Sequence, residues 1–276
     1  MKKVLLSLLC GAVIFSGACS KDTASKESAS KNKSEQATES TKVLSEEEFE
    51  KMYSNPKEYK GKKVDFYAKI FVNPERDKDG TYIQAWADKE QSKNTIITIN
   101  DSKLDVKRDD FIHVKGTVKD AFEGENAFGG KVKGPTIVAS SIEKTDYATA
   151  FAPAKKTIEV NQEQNHNGYK VTIKKVELAD NETRVYFNVK NEANAKFDFY
   201  EFKSKLIVNG QQLEIQDNYE ANYPKIPSDL MPGVAADAVL AFPKLPTKQG
   251  ELQLVLEGSS ENYELNPEPF NYKVKF

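Results

Sequence analysis

Val64-Asp65-Phe66-Tyr67-Ala68-Lys69-Ile70-Phe71-Val72 decides the fold of the first half of this chain. Val64, Phe66, Ala68, Ile70 and Val72 alternate with Asp65, Tyr67, Lys69 and Phe71, the period of two that marks a half-buried strand. Its outer face is aromatic as well as polar, because Tyr67 and Phe71 stand opposite the apolar stripe. Downstream, Arg76-Asp77-Lys78-Asp79-Gly80 reads as a turn, with the Asp-Gly pair expected of a hairpin. Thr81 to Ala87 forms the returning strand and Thr95 to Ile99 the next. In Phe111–Val118, Ile112, Val114, Gly116 and Val118 face one way while Phe111, His113, Lys115 and Thr117 face the other. A glycine-rich loop, Gly124 to Gly134, precedes a strand at Thr136–Ile142. Upstream, Ser45 and Glu48 have the spacing of a capping box, with Leu44 and Phe49 placed as a hydrophobic staple. Phe49, Met52 and Tyr53 share one face of that helix, which Ser54-Asn55-Pro56 stops. One short helix and about five strands within 44–145 predict a small β-barrel.

The second half is also β-rich. Residues 146–156 read as a linker containing Ala and Pro. From Thr157 onward, Tyr169, Val171 and Ile173 alternate with polar residues. The parity then flips at Lys174-Lys175 and continues with Val176 and Leu178, the signature of a β-bulge. Val185, Phe187 and Val189 make the next strand. Leu206 and Val208 run into Asn209-Gly210, the strongest two-residue hairpin signal, and Leu213 and Ile215 return. Val239–Phe242, Leu252–Leu256 and Phe270–Phe276 bring the count to about seven or eight strands, which argues an antiparallel sandwich over 157–276.

The formal net charge is −2, with basic and acidic residues interleaved. Nucleic-acid binding would show as a clustered basic excess, so no nucleic-acid partner is expected. Lys2 and Lys3 open the chain, an apolar run follows from Val4 to Phe15, and Ser16-Gly17-Ala18 leads to Cys19. A positive flank, a short apolar core and small residues are the parts of an export signal. The core is too short for a permanent membrane span, which needs about 20 apolar residues. Cys10 would leave with a leader of residues 1–18. Cys19 alone would remain, so the exported chain would have to stabilise itself by core burial without a disulfide. Residues 19–43 hold Ser, Lys, Glu, Ala and Thr with almost no large apolar side chain, and are expected to form a disordered tether.

Small residues directly before Cys19 resemble the lipobox of bacterial lipoproteins, with Ser16 standing where that motif usually has an aliphatic residue. The resemblance implies a diacylglyceryl group on Cys19 and an anchor at the outer face of the cell membrane; abundant lysine, with arginine only at 76, 108 and 184, fits the AT-rich genome of a Gram-positive cell. Asn55-Pro56-Lys57-Glu58-Tyr59-Lys60-Gly61-Lys62-Lys63-Val64, with Val114-Lys115-Gly116-Thr117-Val118, resembles the OB-fold domains of the "tRNA anticodon-like" type found in bacterial envelope lipoproteins. Asn181-Glu182-Thr183-Arg184-Val185 running to Asn191, then Leu230-Met231-Pro232-Gly233 and Ala241-Phe242-Pro243, resemble the Ig-like domain of uncharacterised Gram-positive lipoproteins, which share the fold of the immunoprotective extracellular proteins. The expected architecture is mainly β: an OB-like barrel with one short helix over 44–145, then an Ig-like sandwich.

Candidate chemistry is sparse. His113 lies on the polar face of its strand and His166 in the turn Asn165-His166-Asn167-Gly168. Neither has a second His or Cys at metal-ligand spacing, so no metal or cofactor is expected. Asp77-Lys78-Asp79-Gly80 echoes half of a calcium loop, but position twelve, counted from Glu75, is Trp86 where a bidentate Glu is needed. Phe128-Gly129-Gly130-Lys131 lacks the end of a P-loop and reads as a flexible loop. The stronger signal is aromatic. Tyr67, Phe71, Tyr82 and Trp86 lie on early strands of the expected barrel, where OB folds bind oligonucleotides or sugars. The alternative is that they cover the helix or fill the barrel. Tyr219 and Tyr223, beside Pro224, mark a second patch in a long loop suited to protein contact. The expected function is non-catalytic binding or adaptor work in the cell envelope, with an envelope protein or a glycan as partner. A structural role in envelope assembly is the alternative, and a hydrolytic enzyme is the least favoured reading.

Overall fold

The computed structural model describes residues 42–125 and 129–276. The expected leader, the lipid-acceptor position Cys19, nearly all of the tether and Phe128 lie outside the described residues. The chain is mainly β, built as several antiparallel sheets with few helical segments among the described residues.

Helix α1 (Glu46–Ser54) forms where the capping box predicts it. Ser45 Oγ accepts from the Glu48 amide at 3.3 Å, and Glu48 Oε2 accepts from the Ser45 amide at 2.8 Å. The helix buries Met52 completely, sets Phe49 against the Phe66 ring at 5.2 Å, and hydrogen-bonds Tyr53 to the Thr95 hydroxyl at 2.8 Å. It therefore covers the core of the first sheet, whose strands are β1 (Lys63–Ile70), β2 (Glu75–Asp77), β3 (Gly80–Trp86), β4 (Asn94–Ile99), β5 (Phe111–Glu125) and β6 (Lys131–Thr145).

Followed from β1, the pairings run through β5, β6, β4 and β3 and return to β1, so the sheet closes into a ring, with β2 paired to β3 as a short flap. All the pairings are antiparallel except β4 with β6. Val64, Phe66, Ala68 and Ile70 are buried as the alternation requires. Val72 is not. The strand ends at Ile70, whose carbonyl accepts the Asp109 amide, and Phe71 donates its own amide to the Gln84 carbonyl, leaving Val72 exposed.

The glycine-rich stretch 124–134 is a loop only at its middle. Cross-strand pairing carries β5 to Glu125 and starts β6 at Lys131, so the two strands form an arm beyond the ring. Register shifts after Lys115 and after Val118 bend this arm. Gly134 sits so close to β4 that an added Cβ would meet the Asn94 carbonyl oxygen at 2.0 Å.

Residues 146–156, read as a linker, contain helix α2 (Tyr147–Phe151), N-capped by Asp146. Tyr147 and Phe151 pack edge-on to Phe111 at 5.8 and 5.6 Å, and Ala152 is buried with Ala179. This small apolar cluster joins the ring to the remaining strands.

Those strands are β7 (Lys156–His166), β8 (Tyr169–Leu178), β9 (Glu182–Asn191), β10 (Phe197–Phe199), β11 (Lys205–Val208), β12 (Gln211–Glu214), β13 (Ala235–Pro243), β14 (Glu251–Leu256), β15 (Gly258–Ser260) and β16 (Phe270–Lys275). Two four-stranded antiparallel sheets, β13-β9-β8-β7 and β12-β11-β14-β16, contribute to one apolar core that includes Tyr169, Phe187, Phe197, Leu254, Phe270 and Tyr272. The bulge at Lys174-Lys175 is present as a register shift between β8 and β9. Asn209 and Gly210 both have positive φ, 51° and 77°, as the β11–β12 hairpin needs. The edge of β16 is covered by a side chain: the Gln164 amide of β7 both donates to and accepts from the Asn271 backbone.

Candidate functional site

The four aromatics expected on one face divide into two groups. Phe71 and Trp86 stack on each other with ring centroids 4.5 Å apart and planes 23° from parallel. The Phe71 amide bond to the Gln84 carbonyl holds the chain after β1 beside β3, which sets this pair. Tyr82, two residues before Gln84 on the same outer face of β3, is 39 % exposed and directs its hydroxyl to Asp77. Tyr67 departs from the group. It stacks on His113 of β5 at 4.6 Å, and His113 in turn hydrogen-bonds Asp65 through Nε2 at 2.5 Å. The helix takes Phe66, on the inner face of β1, as its aromatic partner on the sheet.

Beside the Phe71–Trp86 pair opens a cleft of about 290 Å³. One wall is the outer face of β3 and β4, with Gln84, Asn94 and Ile96; the other is the β5–β6 arm, with Phe122, Glu125 and Val132. The close approach at Gly134 brings the arm over β4 and so makes the cleft. Asp77, half of the suspected calcium loop, accepts the amides of Asp79 and Gly80 through Oδ1, an ordinary turn arrangement.

Tyr219 and Tyr223 also separate. Tyr219 is 87 % exposed, whereas Tyr223 is half-buried and donates to Glu182 Oε1 at 2.5 Å. Between them, Glu220 accepts from Lys69 at 3.3 Å and from Gln91 at 3.0 Å, so this loop rests on the ring sheet. An open groove of about 730 Å³ runs beneath it, bounded by Arg108, Phe111 and Tyr147 on one side and Tyr219 on the other.

Sequence reasoning missed the densest polar cluster. Arg184, in β9, is only 1 % exposed. Its Nε and Nη2 donate to Glu177 Oε2 at 3.0 and 2.8 Å, and its Nη1 donates to Glu182 Oε1 at 2.7 Å and to the Ala152 carbonyl at 2.8 Å. Lys175 and Tyr186 complete the ligation of Glu177, while Asn218 and Tyr223 complete that of Glu182. Desolvation pushes the Glu177 carboxyl up, but hydrogen bonds from Lys175, Arg184 and Tyr186 outweigh it and hold the group below its ordinary range. Burial, reinforced by a carboxylate neighbour, pushes the phenols of Tyr186 and Tyr223 up. Every strong donor and acceptor is matched within the chain, so this cluster ties β8, β9, the 146–156 segment and the 216–224 loop together and leaves little for a ligand. Scarcity was the available signal: this lysine-rich chain has arginine only at 76, 108 and 184. A fork that binds carboxylates bidentately is what a buried cluster selects.

His166 is likewise structural. It ends β7, stacks on Phe270 at 4.6 Å with planes 9° apart, and faces the Glu268 carbonyl through Nδ1 at 2.8 Å. Comparison with known proteins finds no family model that matches the chain and no curated protein that matches it. The cleft beside Phe71 and Trp86 therefore rests on its own geometry.

Proposed function

We propose that this protein is a lipid-anchored extracytoplasmic lipoprotein of the cell envelope whose folded part is a non-catalytic binding or adaptor module. The observation that carries the reading is the stacked Phe71–Trp86 pair at the mouth of a cleft between the ring sheet and the β5–β6 arm. A half-buried aromatic pair beside side-chain amides that bond no described residue suits a recognition surface; a packed core would have buried it fully.

The finer fold assignment belongs to the same proposal. The first module is an OB-like barrel, a reading supported by the ring order with its one parallel closure and by the helix over one end. The second is an Ig-like sandwich, supported by two antiparallel four-stranded sheets around one core. On this reading the modules divide at 44–145 and 157–276, the cleft lies on the barrel face where OB folds take ligands, and Cys19 carries the lipid that holds the module at the extracellular side of the membrane. Among the described lining residues the cleft has one carboxylate, Glu125, whereas glycoside hydrolysis in most families needs a pair. That favours binding over turnover. Tyr219, exposed on the loop above the second groove, is the observation that keeps an assembly role as the second reading.

Retention on envelopes tests the proposal. The lipid-free Cys19→Ala chain should sediment with washed cell walls stripped of membrane, and Phe71→Ala or Trp86→Ala in that background should abolish most of the retention. Equal retention of all three chains would remove the cleft as the binding site.

A further inference from the structure

Resting on the reading of the cleft as a binding site, we infer that its ligand is a neutral saccharide chain. The outer face of the strands that floor the cleft decides the ligand class. Trp86 pairs with Asn94, Gln84 with Ile96, and Tyr82 with Thr98. The parallel strand β6 then places Thr136 beside Ile96 and Val138 beside Thr98. All these side chains point outward, and all are uncharged, in a chain that is 30 % charged residues. Between Tyr82 and Trp86 the strip runs about 13 Å along β3, long enough for more than one sugar ring in line.

Three features of this strip fit a sugar chain. The Phe71–Trp86 pair offers a flat apolar surface to the C–H face of a pyranose. The side-chain amides of Gln84 and Asn94 make no hydrogen bond to any described residue, so each offers both donors and an acceptor to hydroxyl groups, which themselves donate and accept. Thr136 adds a hydroxyl on the next strand. Amide, hydroxyl and aromatic groups thus alternate along one face.

The same strip fits other polymers poorly. A peptide adding as a strand needs an open edge, but β3 and β4 are paired along both sides within the ring. An amphipathic helix needs a continuous apolar stripe, which Gln84 interrupts between Tyr82 and Trp86. A phosphate-bearing polymer needs cations to replace its counterions. The strip itself carries none, the neighbouring cation Lys69, opposite Trp86 on β1, is already engaged by Glu220, and Glu125 at the rim would repel such a polymer.

Trp86 is the one tryptophan in the chain and stacks on Phe71, which lines the cleft, so its emission reports on the cleft's edge. Cellohexaose and chitohexaose, titrated into the Cys19→Ala chain, should give a saturable change in emission for at least one of the two. Gln84→Ala and Asn94→Ala should each weaken that binding about fivefold, the worth of one hydrogen bond, with melting temperatures unchanged. Phe71→Ala should weaken it about tenfold or more. Poly(glycerol phosphate) should leave the emission unchanged. If neither hexasaccharide acts while wall retention still depends on Phe71, the saccharide inference is wrong and the binding site stands. If poly(glycerol phosphate) saturates the signal instead, the inference is equally overturned. If wall retention ignores Phe71→Ala, the cleft itself is lost as a site.

Discussion

Replacing Arg184 by Met should be the most damaging single change in the second half of the chain. The side chain is 1 % exposed and makes four hydrogen bonds, two to Glu177, one to Glu182 and one to the Ala152 carbonyl. Methionine keeps most of the volume but leaves two carboxylates, 8 % and 3 % exposed as residues, without their shared cation. Breaking a buried ion pair by removing one partner costs about 3–5 kcal/mol. With a urea m-value of about 2–3 kcal/mol/M, the denaturation midpoint should fall by about 1–2.5 M. Glu177 fixes the pH dependence. Its folded-state pKa is held below the ordinary 4.5, so its contribution is fully present above that value and is lost as pH falls through the folded pKa. In Arg184→Met the Glu177 carboxyl keeps Lys175 and Tyr186 but loses the guanidinium, so protonation costs it less there and the gap between wild type and variant should narrow as pH falls below 4.5. Adding Glu177→Gln and Glu182→Gln to Arg184→Met should recover about half of the loss at neutral pH, because it removes the stranded charges. A variant within about 1 kcal/mol of wild type at pH 7 would refute the account of this cluster as the tie among β8, β9, the 146–156 segment and the 216–224 loop.

The other predictions concern the aromatics, the connecting segment and the anchor. Phe71→Ala and Tyr67→Ala each remove one member of a half-buried stack and should cost about 0.5–1.5 kcal/mol, whereas Phe66→Ala in the core of the ring sheet should cost about 3–5 kcal/mol; thermal melts that rank Phe71→Ala with Phe66→Ala would return Phe71 to the core. A fragment starting at residue 146 should melt higher than one starting at 157, because only the longer one keeps the Ala152 carbonyl that Arg184 Nη1 binds; equal melting temperatures would contradict that role. Cys19→Ala should release the protein to the medium or leave it unprocessed, and full retention in the membrane fraction would sink the lipobox reading.

What the sequence made legible is whatever local chemistry decides. The capping box at Ser45 and Glu48, the Asn-Gly turn, the alternation from Val64 to Ile70 and the bulge at Lys174-Lys175 each depend on a few neighbouring residues, and each stands in the structure as read, whereas the turn read at Arg76–Gly80 shrinks to Lys78-Asp79 because Arg76 and Asp77 pair with β3 as β2. What it hid is whatever distant residues decide. Gly124 looks like a loop residue until β6 pairs with it through Val132. The Ala-rich segment 146–156 looks like a spacer until Phe111 and Ala179 give Tyr147 and Ala152 something to bury against. Arg184 looks like an ordinary outward residue of a strand. The return of β8 beside it supplies Glu177, Glu182 stands two residues back on its own strand, and the 216–224 loop folds over them, turning an exposed charge into a buried one.

The candidate site follows the same rule, which is why its aromatics were visible and its ligand preference was not. Phe71, Tyr82 and Trp86 announce themselves by type, but type alone also grouped Tyr67 with them, and Tyr67 belongs to the His113 stack across β5. The neutral strip has no signature within any one segment. β3 supplies three of its residues, β4 three and β6 two, and charged residues lie close by in the chain at Asp88, Lys89, Lys93 and Lys133. Pairing of β4 with β6 assembles the uncharged positions, and it is the one parallel contact in the ring. Gly134 permits the β5–β6 arm to pass the Asn94 carbonyl, where any side chain would collide. The ring therefore creates the cleft, and the absence of charge on its floor is a property of the closed sheet.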